Sequence, residues 1–225
     1  MTEPTNLGEI VVVGKRRKFQ DYNGHEQQDE VPENPDDTGG GGGWILDEIL
    51  GENQRQKDCA AEMAGDALKA SPDSNKKEWF SHIFKDGGDN TVYHAPRGGT
   101  GPGIEPSTFT AARNEFGISS WNVLGIVHNH PADEYCNGDP GDGSYDAAWQ
   151  SRQTGFNQFP SENDWAYADT LGNPDLTLYV VGCDGVTRGF RYSDQWLFRP
   201  LVQPAHMQTA PVPPLAPRPQ SPCAS

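Results

Sequence analysis

Residues 121–131 read Trp-Asn-Val-Leu-Gly-Ile-Val-His-Asn-His-Pro. A short apolar run ends in two histidines two residues apart, and proline closes it. On a strand, alternate side chains leave from the same face. The spacing therefore predicts a central strand, Trp121 to His130, with Leu124, Ile126, His128 and His130 on one side. Residues 161–164 read Ser-Glu-Asn-Asp. That pattern predicts a helix start, with serine at the N-cap and an acid three residues on. Two imidazoles plus the Asp164 carboxylate make a three-ligand set that leaves a fourth zinc position for water, as catalytic zinc requires. The competing readings are plain. The histidines can be polar residues at a strand end, and Ser161–Asp164 an ordinary capping box. The capping reading is compatible with ligation, because a helix N-terminus can carry both.

The flanking segments predict a mixed α/β domain. Asp58 reads as the cap of a helix running to about Ala70, with Ala60, Ala64, Ala67 and Leu68 on one face. Glu78 to Phe84 and Thr91 to Ala95 read as a hairpin around Asp86-Gly87-Gly88-Asp89. Ser107 reads as the cap of a second helix that Gly117 stops. A third helix runs from Ser161 to about Leu171. Leu176 to Val181 and Val186 to Tyr192 form a second hairpin, turning at Asp184-Gly185. The expected fold is α/β (mixed), a curved mixed β-sheet flanked by helices.

Around this core the composition divides the chain into residues 1–43, 44–198 and 199–225. The first part contains a short apolar stretch (Ile10 to Val13), the basic run Lys15-Arg16-Arg17-Lys18, a polar acidic stretch and five glycines, Gly39 to Gly43. It reads as a disordered acidic leader with a glycine hinge. The last part is proline-rich and reads as an extended, disordered tail. Residues 132–160 form a long polar segment, read either as a lid or as a solvated excursion.

The 225 residues carry a formal net charge of −15. Such a chain repels phosphate backbones, which argues against nucleic acid as a partner. No apolar run approaches the roughly 20 residues of a membrane helix. The N-terminus lacks the basic start and the longer apolar core of a secretory signal. The expected location is cytoplasmic, or outside the cell by export without a cleaved signal peptide. Cys59, Cys136, Cys183 and Cys223 lack C-x-x-C spacing. They read as reduced thiols, with a Cys136–Cys183 bond left open.

An upstream Glu, His-x-His-Pro and Ser-x-x-Asp, in this order, resemble the JAMM (MPN-type) metallopeptidases. The pattern falls here on Glu78, His128-Asn129-His130-Pro131 and Ser161-Glu162-Asn163-Asp164. The closer resemblance is to JAMM-like domains in bacterial polymorphic toxins, and it covers roughly Asp58 to Tyr192. The resemblance implies a JAMM/MPN-like (cytidine-deaminase-like) fold and zinc held by His128, His130 and Asp164. It implies that Glu78 moves the proton of the attacking water to the leaving amine, and that Ser161 donates to the oxyanion. The bond cut would be a peptide or isopeptide bond in a protein or peptide substrate. The chain would act as a toxin or effector, with an immunity protein as a further partner.

Glu78 departs from the pattern in its neighbours. Trp79-Phe80-Ser81 replaces the small residues common in the toxin-type domains, and Lys76 and Lys77 suit a surface carboxylate. Glu62 is the alternative, inside a helix. Two other functions compete. One is a catalytically silent JAMM-like binding module, which needs no intact ligand set. The other is a metal-dependent nuclease toxin, which the acidic charge and the strand spacing disfavour. The deaminase signature of His-x-Glu with Pro-Cys-x-x-Cys is not present. His94 and Arg97 read by default as surface polar residues, and His82 as structural.

Overall fold

The computed structural model describes residues 10–13, 41–99, 103–131, 155–182, 184–203 and 221–223. Strands are β1 (Ile10–Val13), β2 (Trp79–Lys85), β3 (Thr91–His94), β4 (Arg97–Gly98), β5 (Val123–Asn129), β6 (Thr177–Val181) and β7 (Thr187–Arg191). Helices are α1 (Gly41–Lys69), α2 (Pro106–Glu115), α3 (Glu162–Leu171) and the short α4 (Gln195–Phe198). The sheet order is β1-β3-β2-β5-β6-β7, and β4 pairs with the start of β2. Among the described strands only β5 and β6 run parallel, with α3 between them in sequence; the other pairs are antiparallel. The sheet is therefore mixed, open and flanked by helices. The leader's basic and acidic runs, the 132–154 part of the insert, Cys136, Cys183 and tail residues 204–220 lie outside the described residues.

Two apolar clusters cover the two faces. α1 contributes Ala60, Ala61, Ala64 and Leu68 against Ile83, Tyr93, Val127, Tyr179 and Val181. The opposite face carries Phe80, Ile126, Leu178 and Phe190, roofed by Phe109 of α2 and by Trp165, Ala168 and Leu171 of α3. Burying such side chains contributes about 1.5–3 kcal/mol each, which is what holds the layers together.

Several elements differ from the sequence expectation for identifiable reasons. α1 begins at Gly41 rather than at Asp58, so three glycines of the expected hinge and the segment after them are helical. Asp58 lies inside α1, where its carboxylate accepts hydrogen bonds from Gln54 (2.6 Å) and from the buried Tyr179 hydroxyl (2.7 Å). Ile10–Val13, read as part of the leader, pair antiparallel with β3. α2 starts at Pro106 after Glu105, one residue ahead of the expected serine cap. Leu124 does not share the face of Ile126 and His128. The β2–β5 register shifts between Ile83 and Phe84, and the extra residue turns Leu124 toward the α1 layer.

α1 lies close on the sheet because Gly65 permits it: a Cβ there would meet Thr187 Oγ1 at 2.5 Å. The far end of the chain reinforces this contact. Cys59 of α1 and Cys223 form a disulfide across 164 residues, and Ser221 donates to Glu62 at 2.6 Å. The expectation of reduced thiols is thus corrected for these two cysteines; sequence spacing carries no information about a pair that meets only after folding. No described helix is long and apolar enough to cross a membrane.

Closing so long a loop stabilises the folded chain by about 2–5 kcal/mol, mainly by restricting the unfolded state. Reductant, or C223S, is expected to lower the thermal midpoint by roughly 5–15 °C while leaving the far-ultraviolet circular dichroism at 25 °C unchanged. Identical melting curves with and without reductant would count against the bond.

Candidate metal centre

Three elements deliver the site. Glu78 precedes β2 directly, His128 lies near the end of β5, and Asp164 lies in the first turn of α3. Phe80 and His128 are Cα partners across the β2–β5 ladder, so both face the α2/α3 layer. His130 stands one residue past β5, and its N–H still donates to Val181 of β6 at 3.2 Å. The site therefore opens at the carboxyl end of a parallel strand, facing a helix N-terminus, where α/β folds commonly bind ligands.

Asn129, between the two histidines, faces the other way. Its Oδ1 accepts from the Trp79 N–H at 2.7 Å, and its Nδ2 donates to the carbonyls of Ser74 (2.8 Å) and Lys77 (3.2 Å). It ties the segment before β2 to the end of β5 and so sets where Glu78 lies. Sequence reading assigned it no role. The one available signal was its alternation on the strand, which put it on the opposite face from both histidines.

The Nε2 atoms of His128 and His130 approach to 3.0 Å. His128 Nε2 lies 3.4 Å from Asp164 Oδ2 and 3.8 Å from Glu78 Oε1. Glu78, His128 and His130 each present one donor atom, all within 4.8 Å of one another. His128 is fully buried, and Glu78 and Asp164 are nearly so. Glu78 is thus no surface carboxylate, despite Lys76 and Lys77. Glu62 is ruled out of the site, since α1 covers the opposite face of the sheet.

Asp164 is held by a complete capping box. Its Oδ2 accepts from the Ser161 N–H and from the Ser161 hydroxyl, both at 2.7 Å, and its own N–H approaches Ser161 Oγ at 3.4 Å. The expected cap and the expected ligand therefore coincide. Gly172, at φ 62°, ends the same helix in a left-handed conformation that costs glycine little.

Burial alone would lower the His128 pKa, but the Asp164 and Glu78 carboxylates outweigh it and raise it to about 9. Burial and the charge on His128 push His130 down to about 4. Burial raises Glu78 to about 8; the Asp164 charge adds to this, and His128 opposes it. Asp164 falls below the usual carboxylate range, because His128 and its hydrogen bonds overcome burial. Such displaced, mutually coupled groups gather at functional sites more often than elsewhere.

The residues fit a metal cation on two counts. His130 Nδ1–H donates to the Asn157 carbonyl at 2.5 Å, which leaves the Nε2 lone pair directed at the cluster, the orientation usual for a ligating imidazole. Donors 2.0–2.2 Å from a tetrahedral zinc stand about 3.3–3.6 Å apart. The 3.4 Å between His128 and Asp164 matches that edge, and the 3.0 Å between the histidines and the 3.8 Å to Glu78 each miss it by a few tenths of an ångström. Among the described residues the mutually close donors are those of Glu78, His128 and His130; Asp164 meets His128 but does not join that set. No family model matches this chain, and neither does any curated protein or solved structure.

The remaining candidates lie elsewhere. His94 is fully buried rather than on the surface, and Arg97 pairs with Glu115 at 2.5 Å over the Phe116 ring. His94 Nδ1–H donates to the Ala95 carbonyl (2.7 Å), so its Nε2 accepts, both from the His82 N–H (3.0 Å) and from His82 Nδ1–H (2.9 Å). His82 Nε2 then accepts from the Tyr167 hydroxyl at 3.1 Å. This chain joins β3 and β2 to α3 beneath the site. Burial drives His82 well below its ordinary pKa, and drives His94 to about 4.

Both imidazoles are neutral when folded, whereas in the unfolded chain each takes up a proton below about pH 6.5. The unfolded state then binds more protons, so stability falls as pH drops from 6.5 toward about 4, where His94 protonates in the fold as well. The limiting slope is about 1.4 kcal/mol per pH unit for each histidine. Urea midpoints between pH 7.5 and 5 should fall less steeply in H94Q than in wild type; parallel curves would contradict the assignment.

Proposed function

We propose that this chain is a zinc-dependent JAMM-like peptidase or isopeptidase. The observation that carries the reading is the convergence of the His128 and His130 Nε2 atoms at 3.0 Å, with the Glu78 carboxylate in the same cluster and Asp164 against His128. His128, His130 and Asp164 would hold the ion. When bound, zinc supplies Lewis acidity, which acidifies water and polarises the carbonyl under attack.

The chain's own groups have distinct tasks. Glu78, nearly buried and 3.8 Å from His128, would accept a proton from the attacking water and return it to the leaving amine. Ser161 orients Asp164 through the capping box. Its hydroxyl proton is directed at Asp164, so the oxyanion role we assign it requires the hydroxyl to turn toward the substrate carbonyl. Asn157 fixes the His130 tautomer through its carbonyl. A disulfide between Cys59 and Cys223 supports action in an oxidising environment, which suits an exported bacterial effector better than a cytoplasmic enzyme.

Metal analysis of purified protein is expected to find about one zinc per chain in wild type and little in H128A. Equal metal in both would remove the site. D164N is expected to bind zinc at least about tenfold more weakly. E78Q is expected to retain zinc and lose peptide hydrolysis by about 100-fold or more, because only the proton carrier is removed. If the metal content of E78Q fell while D164N kept its zinc, the two carboxylates would exchange roles.

A further inference from the structure

The cavity that contains Glu78, His130 and Asp164 has a volume of about 240 Å³, and its lining is part polar, with Asn157 and Asn163, and part apolar. Ile104, Phe156, Phe159 and Val202 form its apolar walls, and all four are more than nine-tenths buried. They come from three separate parts of the chain: the segment before α2, the approach to α3, and the turn after α4. Apolar walls that share a cavity with a polar cluster are how enzymes commonly seat one side chain beside the reacting bond.

The charges around the chamber narrow the choice of side chain. No lysine or arginine is among its described lining residues, whereas three carboxylates are, so an acidic side chain meets repulsion. A basic one finds no free counter-charge. Glu162, at the rim, accepts from Arg199 Nη2 (2.5 Å), Arg199 Nε (3.0 Å) and Gln203 (2.6 Å). Asp164 is engaged by Ser161 and His128, and Glu78 lies at the reacting end. A charged group placed against Phe156 and Phe159 would lose its water without compensation.

We propose that this chamber is a specificity pocket for a single aliphatic or aromatic side chain next to the bond that is cleaved. The proposal rests on the peptidase reading above, and deepens it: the substrate is a peptide with a bulky apolar residue beside the scissile amide. A glycine at that position leaves the chamber unfilled.

The test uses the full chain loaded with zinc and titrated calorimetrically with N-acetylglycine, N-acetylleucine and N-acetylglutamate hydroxamates. Each probe carries the same metal-binding group and differs only in its side chain. The leucine compound is expected to bind at least about tenfold tighter than the glycine compound, the amount expected for burying one such side chain. The glutamate compound should bind no tighter than glycine. V202W, which fills the chamber, should bring the leucine-to-glycine ratio toward one; if that variant does not fold, the wild-type ratio decides alone. Equal affinity for leucine and glycine, or a preference for glutamate, overturns the pocket while leaving the metal centre standing. Failure of all three to bind protein that carries zinc overturns the peptidase reading, and the pocket with it.

Discussion

Asp164 is buried against the imidazole of His128 at 3.4 Å, at the first turn of a helix whose N-cap hydroxyl and N–H both donate to it. A carboxylate taken out of water costs several kcal/mol unless charges and donors replace the solvent. Here the helix end, Ser161 and His128 replace it together. The His128 contact also joins α3 to the end of β5, so the interaction that compensates the carboxylate helps assemble the site. Glu78 adds a second buried carboxylate to this small volume. Burial chiefly raises the Glu78 pKa, with Asp164 adding to it, and the two carboxylates raise that of His128. An ion bound among these groups would relieve this crowding, since a divalent charge compensates both carboxylates and uses both imidazole lone pairs.

The rest of the fold serves to keep that end of the sheet rigid. On one face, α1 is brought close by Gly65 and tied through Asp58 to Tyr179 and through Cys59 to Cys223. On the other, Tyr167, His82 and His94 form a buried hydrogen-bonded chain from α3 through β2 to β3. Buried polar chains of this kind are tolerated only when each member is satisfied. The direction of each bond here follows from the single proton that His94 gives to the Ala95 carbonyl. Asn129 completes the frame by joining the segment before β2 to β5.

Much of this was legible from residue order. The apolar run before His128, the hairpin turns at Asp86–Asp89 and Asp184–Gly185, and the serine cap of α3 are local signals with local causes, and each element appears where it was expected. The pairing of His128 with His130 follows from strand alternation alone. What failed was equally physical. Asp58 carries a good capping side chain, but the helix-forming residues before it extend α1 to Gly41, and a partner 121 residues away takes its carboxylate. Leu124 obeys the strand period in sequence, and a register shift against β2 reverses it.

The sequence by itself determined the secondary-structure plan and the set of residue types available for chemistry, because periodicity, capping and turn preference act over a few residues. Tertiary structure alone decided that Glu78 rather than Glu62 faces the histidines. It also decided that Cys59 meets Cys223, that His94 is buried, and that apolar walls share a cavity with the polar cluster. Those outcomes depend on which face of the sheet each layer covers, and that is settled by burial summed over the whole chain rather than by any local pattern.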